Sequence, residues 1–284
     1  STLCFPHQNK FQRSDESNSY HEFIESNYGL SIATSSVHIN LGIEELDKLF
    51  AAIRLVRCEA SLFLALSASS PFLNGKFTGN HSQRWLQFPK TPVEIPFFLD
   101  HTHYINWIED NINNGTMQNV RHFWSSVRPN GPQRPYGLDR LELRICDFIS
   151  NIDLLLAITA FLELRVISLF EDFKNLDPLI SSKFSTDELR EICDQNELKV
   201  STNSLEAELI HWRSGERIIC KDWIKSLLDE LSSSSKMLKM NHLLVPIQKV
   251  LEEGNESIKW IDKYNKGFSV EDIMRSAINN MIKN

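Results

Sequence analysis

The sequence predicts an α+β fold: a few antiparallel strands, each with one polar face, followed by a helical remainder. Two stretches of alternation and one long helical tail carry that expectation. In "LDRLELRICD" (138–147), Arg140, Glu142 and Arg144 fall on one face and Leu141, Leu143 and Ile145 on the other. In "IATSSVHINLGI" (32–43), Ser36, His38 and Asn40 alternate with Val37, Ile39 and Leu41. The last hundred residues read as helices at 185–196, 203–212, 219–233, 237–252, 255–264 and 269–283. "STDE" (185–188) and "SVED" (269–272) are capping-box-like starts, and "SSSS" (232–235) marks a break.

The remaining elements follow in order. A short helical pattern over 19–29 closes at Gly29. From Glu44 to about Ser67, Leu46, Leu49, Phe50, Ile53, Val56 and Leu64 recur at three- and four-residue steps, so this stretch is a helix that stops before Pro71. Residues 68–100 carry Pro71, Pro89, Pro92 and Pro96 with Gly75 and Gly79 and form a long loop. Its Phe72, Phe77, Trp85, Phe88, Phe97 and Phe98 argue for an ordered binding loop. A helix is expected over 103–113, a strand over 120–128 ("VRHFWSSVR"), a turn over 129–137 and a strongly apolar helix over 152–173.

A chain of 284 residues that is 42% hydrophobic builds a sizeable core. The reading divides it into a sheet-containing part, 1–175, and a helical part, 176–284, packed on the same core. A net charge of −7 argues against nucleic acid as a partner. No run approaches the ~18 apolar residues of a membrane span, so a cytoplasmic protein is expected. Five cysteines (Cys4, Cys58, Cys146, Cys193, Cys220) without a CxxC pair read as reduced thiols. Cys58 and Cys193 fit buried helix positions, whereas Cys146 falls on the face of Glu142 and Arg144.

If the two alternating strands share a sheet, their polar rows cover one patch. Glu142 is then a hard oxygen ligand suited to Mg²⁺, and Arg144 a planar fork suited to carboxylate or phosphate. Each signal also has a plainer reading. Glu-x-Arg on a strand is commonly a solvated, ion-paired face, a strand His is commonly satisfied by a carbonyl, and Lys76, Arg84 and Lys90 read equally as surface charges.

Four ordered motifs, "VHINLG" (37–42), "LFLALSASSPFLNGKFTGNHSQRW" (62–85), "FWSSVRPNG" (123–131) and "RLELRICD" (140–147), together resemble the glutamate–cysteine ligases of the bacterial carboxylate–amine ligase type. "RPNG…RPY" and "LELRICD" are most similar to the cyanobacterial branch. The resemblance spans roughly 30–175, with "GNESIKW" (254–260) a looser match in the tail. It implies a glutamine synthetase-like antiparallel sheet as an active-site floor backed by helices. It also implies a reaction, the first step of glutathione synthesis: ATP phosphorylates the γ-carboxylate of L-glutamate, and the amine of L-cysteine displaces phosphate.

By motif position, Glu142 would bind Mg²⁺, with His38 and Arg144 as catalytic groups. Arg84, Arg144 and Asn40 would hold substrate, and Arg128 and His38 would meet ATP phosphates. On this view Glu142→Gln is expected to leave the melting temperature nearly unchanged, because the carboxylate faces the site. One departure stands out. The family opens on a strand bearing closely spaced glutamates, and Glu16, Glu22 and Glu25 lie in polar or helical text, so either an upstream segment is absent from this sequence or the metal site is incomplete. "LEAEL" (205–209) has Glu-x-Glu in helical surroundings. A sister ligase with another amine acceptor, and a non-catalytic binding remnant, remain as alternatives.

Overall fold

The other elements are arranged around helix α1, Leu46–Ser67, in which every residue from Leu49 to Ser67 is buried. A helix apolar on all sides is a core helix, but this one also carries three charges inward. Arg54 makes a two-pronged pair with Asp177 (3.0 and 2.6 Å) and donates to the carbonyls of Phe98 and Leu99. Arg57 donates to the carbonyls of Ile95 and Pro96 at 2.7 and 2.6 Å. Glu59 accepts both prongs of Arg165 at 2.9 and 2.6 Å. A buried charge must find such partners, so each one pins a different segment against α1.

The computed structural model describes residues 34–87 and 92–283, together with Thr2, Cys4, Glu22, Phe23 and Ser26. The helix expected over 19–29 lies largely outside the described residues, as do Phe88 and Lys90. The main sheet has three antiparallel strands, β1 (Ile39–Gly42), β5 (Arg140–Leu143) and β4 (Val127–Asn130), with β5 in the middle. Val127, Leu141 and Leu143 are almost wholly buried, and their side of the sheet packs on α1. The expected strands over 120–128 and 139–147 are therefore shorter. Residues 120–122 form a 3-10 turn, and β5 stops at Leu143 because the Ser126 carbonyl takes both Arg144 N–H and Ile145 N–H.

The turn between β4 and β5 is tight enough to dictate its sequence. A Cβ at Gly131 would lie 2.1 Å from the Gly137 carbonyl oxygen, so only glycine fits there. The long loop is ordered by its aromatics. It holds a small hairpin, β2 (Phe72–Leu73) and β3 (Lys76–Phe77), and a short helix α2 (Gln83–Gln87). Phe98 packs edge-on against Phe50, Tyr104, Trp107 and Phe123. Helix α3 (His101–Asn113) follows, capped by Asp100, whose carboxylate accepts from His103 N–H.

Beyond the sheet come α4 (Ile152–Glu171), two single turns α5 (Phe173–Leu176) and α6 (Pro178–Ser181), and α7 (Thr186–Asn203). Then follow α8 (Cys220–Glu230), α9 (Ser232–Met237), α10 (Val245–Glu253), α11 (Glu256–Asn265) and α12 (Val270–Lys283). Ser185 and Glu188 form the reciprocal capping box that "STDE" announces. Two expectations fail. Residues 203–212 are not a helix but a 3-10 turn leading into a hairpin, β6 (Glu208–Ile210) with β7 (Arg217–Ile219). Leu205, Leu209 and Trp212 are buried as a helical stripe would require, yet Asn196 bonds both N–H and C=O of Ile210 and holds it extended. The serine run is likewise helical, the break falling at Leu231. One cluster of buried apolar side chains runs from Ile39 to Val250.

The Glu59–Arg165 pair is testable. Glu59→Gln is expected to cost about 3–5 kcal/mol in urea denaturation, because it strands a buried guanidinium. Glu230→Gln, which removes an exposed carboxylate 3.9 Å from the same guanidinium, should stay within experimental scatter.

Candidate active site

The polar rows of β1, β5 and β4 meet on one face of the sheet. Strand pairing sets Asn40 opposite Glu142 and Glu142 opposite Arg128, so the three stand in one line across the strands. Glu142 is the centre. Its Oε2 accepts from Arg128 Nε at 2.7 Å and Asn130 Nδ2 at 3.1 Å. Its Oε1 meets Arg144 at 3.1 Å and His38 Nδ1 at 3.2 Å. Burial raises the pKa of this carboxyl, but His38, Arg128 and Arg144 overcome it and hold Glu142 well below the usual carboxylate range. Glu142 is therefore ionised at neutral pH.

Around it the positive charge is in excess. Burial and repulsion by Arg128 pull Arg144 down to about 10, which still leaves it protonated. Arg134, in the tight β4–β5 turn, is lowered by burial and by Arg128, with the charge of Glu142 acting in the opposite direction. Its Nη1 is buried without a hydrogen bond, as is the Tyr104 hydroxyl, whose pKa burial raises above the usual phenol range. Arg144 also sits over the Trp124 ring at 5.2 Å. Two guanidiniums bonded to one carboxylate, with a third close enough to feel their charges and carrying an unbonded N–H, make an anion cradle suited to carboxylate or phosphoryl oxygens.

The sequence-derived candidates are distributed unequally. Arg128, Glu142, Arg144 and His38 are in mutual contact, and Asn40 is on the same line but exposed. Both ring nitrogens of His38 are engaged, one by Glu142 and the other by Ser36 Oγ at 3.2 Å. Arg84 is a correction. It is 1% exposed, pairs with Asp147 through Nε at 2.6 Å and donates to the Ile145 carbonyl, so it faces the core and not a substrate. Cys146 is a second correction: it lies beyond the regular strand, fully buried, and burial pushes its thiol up to about 12. Lys76 is a surface charge.

The Mg²⁺ assignment does not fit the donors either. Each oxygen of the Glu142 carboxylate already meets two donors, Arg128 and Asn130 at Oε2 and Arg144 and His38 at Oε1, which a metal would have to displace. Among the described residues no three His, Cys, Asp or Glu side chains come together as a metal site. Glu206 and Glu208 of "LEAEL" are paired with Lys221 and Arg217 at the surface.

Sequence reasoning missed Asp147, Arg134 and Tyr104. Asp147 is fully buried and accepts from Ser69 N–H, Ser70 Oγ, Ser82 Oγ and Arg84 Nε, tying the loop to the end of β5. It stands at the end of the "RICD" motif. Arg134 lies in text that reads only as a turn.

An antiparallel sheet backed by helices is a fold this chain shares with a ligase. Its structure is similar to that of glutamate–cysteine ligase from Francisella tularensis, solved in complex with AMP: the TM-score is 0.68 at 15% identity, covering 91% of this chain and 66% of that one. The chain belongs to the glutamate–cysteine ligase family 2 (GCS2), whose sequence profile matches residues 2–282. Among curated relatives, a "Putative glutamate–cysteine ligase 2" of Sorangium cellulosum is 24% identical, over 85% of this chain and 62% of the relative. One from Arthrobacter sp., named "Putative glutamate–cysteine ligase 2-1", is 25% identical over 80% and 57%. The chain thus spans about three fifths of the length of these relatives. Among the described residues no helix is long and apolar enough to cross a membrane.

Because Glu142 is held below its unfolded-state pKa, its pairing stabilises the fold above the ordinary carboxylate range, and that contribution is lost as pH falls through the range toward the depressed folded value. Glu142→Gln is therefore expected to lower the melting temperature by several degrees at pH 7. The gap from the parent protein should narrow steadily below about pH 4. This reverses the expectation of an unchanged melting temperature, and calorimetry across pH 3–7 checks it.

Proposed function

We propose that the protein takes part in ATP-dependent joining of L-glutamate, through its γ-carboxylate, to the amine of L-cysteine. The observation that carries this reading is the cradle of Arg128, Arg134 and Arg144 around the ionised Glu142. The reaction brings a triphosphate and a dicarboxylate together, and their mutual repulsion must be neutralised for the γ-carboxylate oxygen to attack the terminal phosphorus in line. ADP leaves, and an acyl phosphate remains. The amine nitrogen then attacks the acyl carbon, inorganic phosphate departs, and the amine gives up a proton.

In this scheme Arg144 and Arg128 grip the oxygens that pass from ATP to glutamate. Arg134 supplies the third cation and an uncommitted N–H. Glu142 keeps the guanidiniums apart and pointed, and His38 with Asn40 borders the patch on β1. The donors of the described residues do not assemble a magnesium site, so no step is assigned to a metal. Membership of the cyanobacterial branch rests on the wording of "RPNG…RPY" and "LELRICD". A cytoplasmic setting suits the substrates.

Steady-state ADP release by the complete protein should require both glutamate and an amine, with cysteine the best acceptor in a panel. Hydroxylamine should trap the acyl phosphate as a hydroxamate when glutamate and ATP are present. Arg144→Ala is expected to cut turnover by at least a hundredfold, the scale seen for removing one donor from a developing anion. A parental rate in that variant, or no hydroxamate from the parent protein, sinks this function.

A further inference from the structure

Two polar groups at the edge of the cradle lack partners, and they come from elements that the structure ties together. Arg134 belongs to the β4–β5 turn and Tyr104 to α3. The residues just after Arg134 dock on that helix: His101 Nε2 meets the Pro135 carbonyl at 3.0 Å, and the Tyr136 hydroxyl donates to Glu109 at 2.7 Å. His101 and Tyr104 lie one helical turn apart and share a face. The Tyr104 ring is held by Phe50, Phe98 and Phe123, whose centroids are 5.8, 5.0 and 6.1 Å away. The Phe123 carbonyl in turn accepts from Arg128 Nη1 at 2.8 Å, which joins this aromatic cluster to the cradle. Tyr104 is 0% exposed, yet its hydroxyl has no hydrogen-bond partner, and neither has the buried Nη1 of Arg134. Both Arg128 and Arg134 act on Tyr104 through their charge, and burial keeps its proton in place at neutral pH. Idle buried donors cost stability, and phenylalanine would keep the ring contacts without that cost.

The charges point to what would complete the two donors. Arg128 and Arg144 are committed to Glu142, whereas Arg134 has no ion pair among the described residues. Three guanidiniums against one carboxylate leave two positive charges unbalanced, and Arg121 adds to the positive field at Arg134. A single carboxylate offsets one of them; a phosphoryl group, with close to two negative charges, offsets both. We propose that the Tyr104 hydroxyl and Arg134 Nη1 form a donor pair for one oxygen of a dianionic phosphoryl group. The inference rests on the ligase reading above for the source of that group, and it makes Tyr104, on α3, a ligand-contacting residue. No hydrogen bond anchors the half-buried Arg134 side chain, so it turns about its own bonds to admit the oxygen, while the packed tyrosine stays fixed.

The test is isothermal titration of the complete protein with inorganic phosphate and, separately, with L-glutamate, at about pH 8, where phosphate is a dianion. Tyr104→Phe should weaken phosphate about tenfold, the scale of one hydrogen bond to a charged group, and leave glutamate within about twofold. Its melting temperature without ligand should equal or exceed the parent's, because only an unbonded hydroxyl is lost. A role in packing alone would leave phosphate binding unmoved. Arg134→Gln, in the turn, should weaken phosphate at least as much, and it decides the matter if the phenylalanine variant proves less stable. No phosphate binding by the parent, unchanged phosphate binding in either variant, or a loss that falls equally on glutamate overturns the pair. Tyr104-dependent phosphate binding without any hydroxamate from glutamate and ATP keeps the pair and overturns the ligase reading. Hydroxamate formation with Tyr104-independent phosphate binding does the reverse.

Discussion

Glu142 is the interaction on which the site depends. Guanidiniums as close as Arg128 and Arg144 repel one another strongly in a poorly solvated setting. A single carboxylate accepting from both, and from Asn130 and His38 as well, makes their convergence tolerable. The cost of burying Glu142 is met by those same donors. The charges thus hold each other in place, and the apolar side of the same three strands secures them to α1. Remove the carboxylate and the cations have reason to separate; remove the sheet and nothing sets their spacing.

The same solution recurs deeper in the molecule. Asp147 joins the loop of residues 69–84 to the end of β5, Glu59 joins α1 to α4, and Asp177 joins α1 to the turn after α5. In each case a carboxylate accepts both prongs of an arginine or a full set of hydroxyl and amide donors. Such pairs add little net stability compared with a well-packed apolar core. They do specify which segment lies against which.

Alternation made the central architecture readable. Ser36-x-His38-x-Asn40 and Arg140-x-Glu142-x-Arg144 identified two strands, and the structure makes them neighbours in one antiparallel sheet. Helical spacing located α1, α3 and α4 to within a few residues. What periodicity could not give was the third dimension. Arg84 is as charged as Arg144 in the sequence, and only the position of Asp147 tells which one is spent in the core. Leu205, Leu209 and Trp212 keep helical spacing inside a hairpin because burial constrains them at intervals that either structure can meet. Arg134 reaches the cradle through a turn that closes on Gly131, and turn chemistry carries no signal about where its side chains end up.

The pairing of α1 has a consequence for how the chain is made. Its charged residues find their partners far along the sequence: Arg54 with Asp177, 123 residues on, and Glu59 with Arg165, 106 residues on. The Ala65 carbonyl waits for Asn255, 190 residues later. The helix at the centre of the fold is thus synthesised early and satisfied late. Until α4, α6 and α11 have been made, a long apolar cylinder bearing uncompensated ions has no place to hide them. Contacts of such long range slow folding, and the waiting surface is the kind that chaperones hold. The feature that fixes the finished molecule most firmly is also the one that leaves the nascent chain most vulnerable.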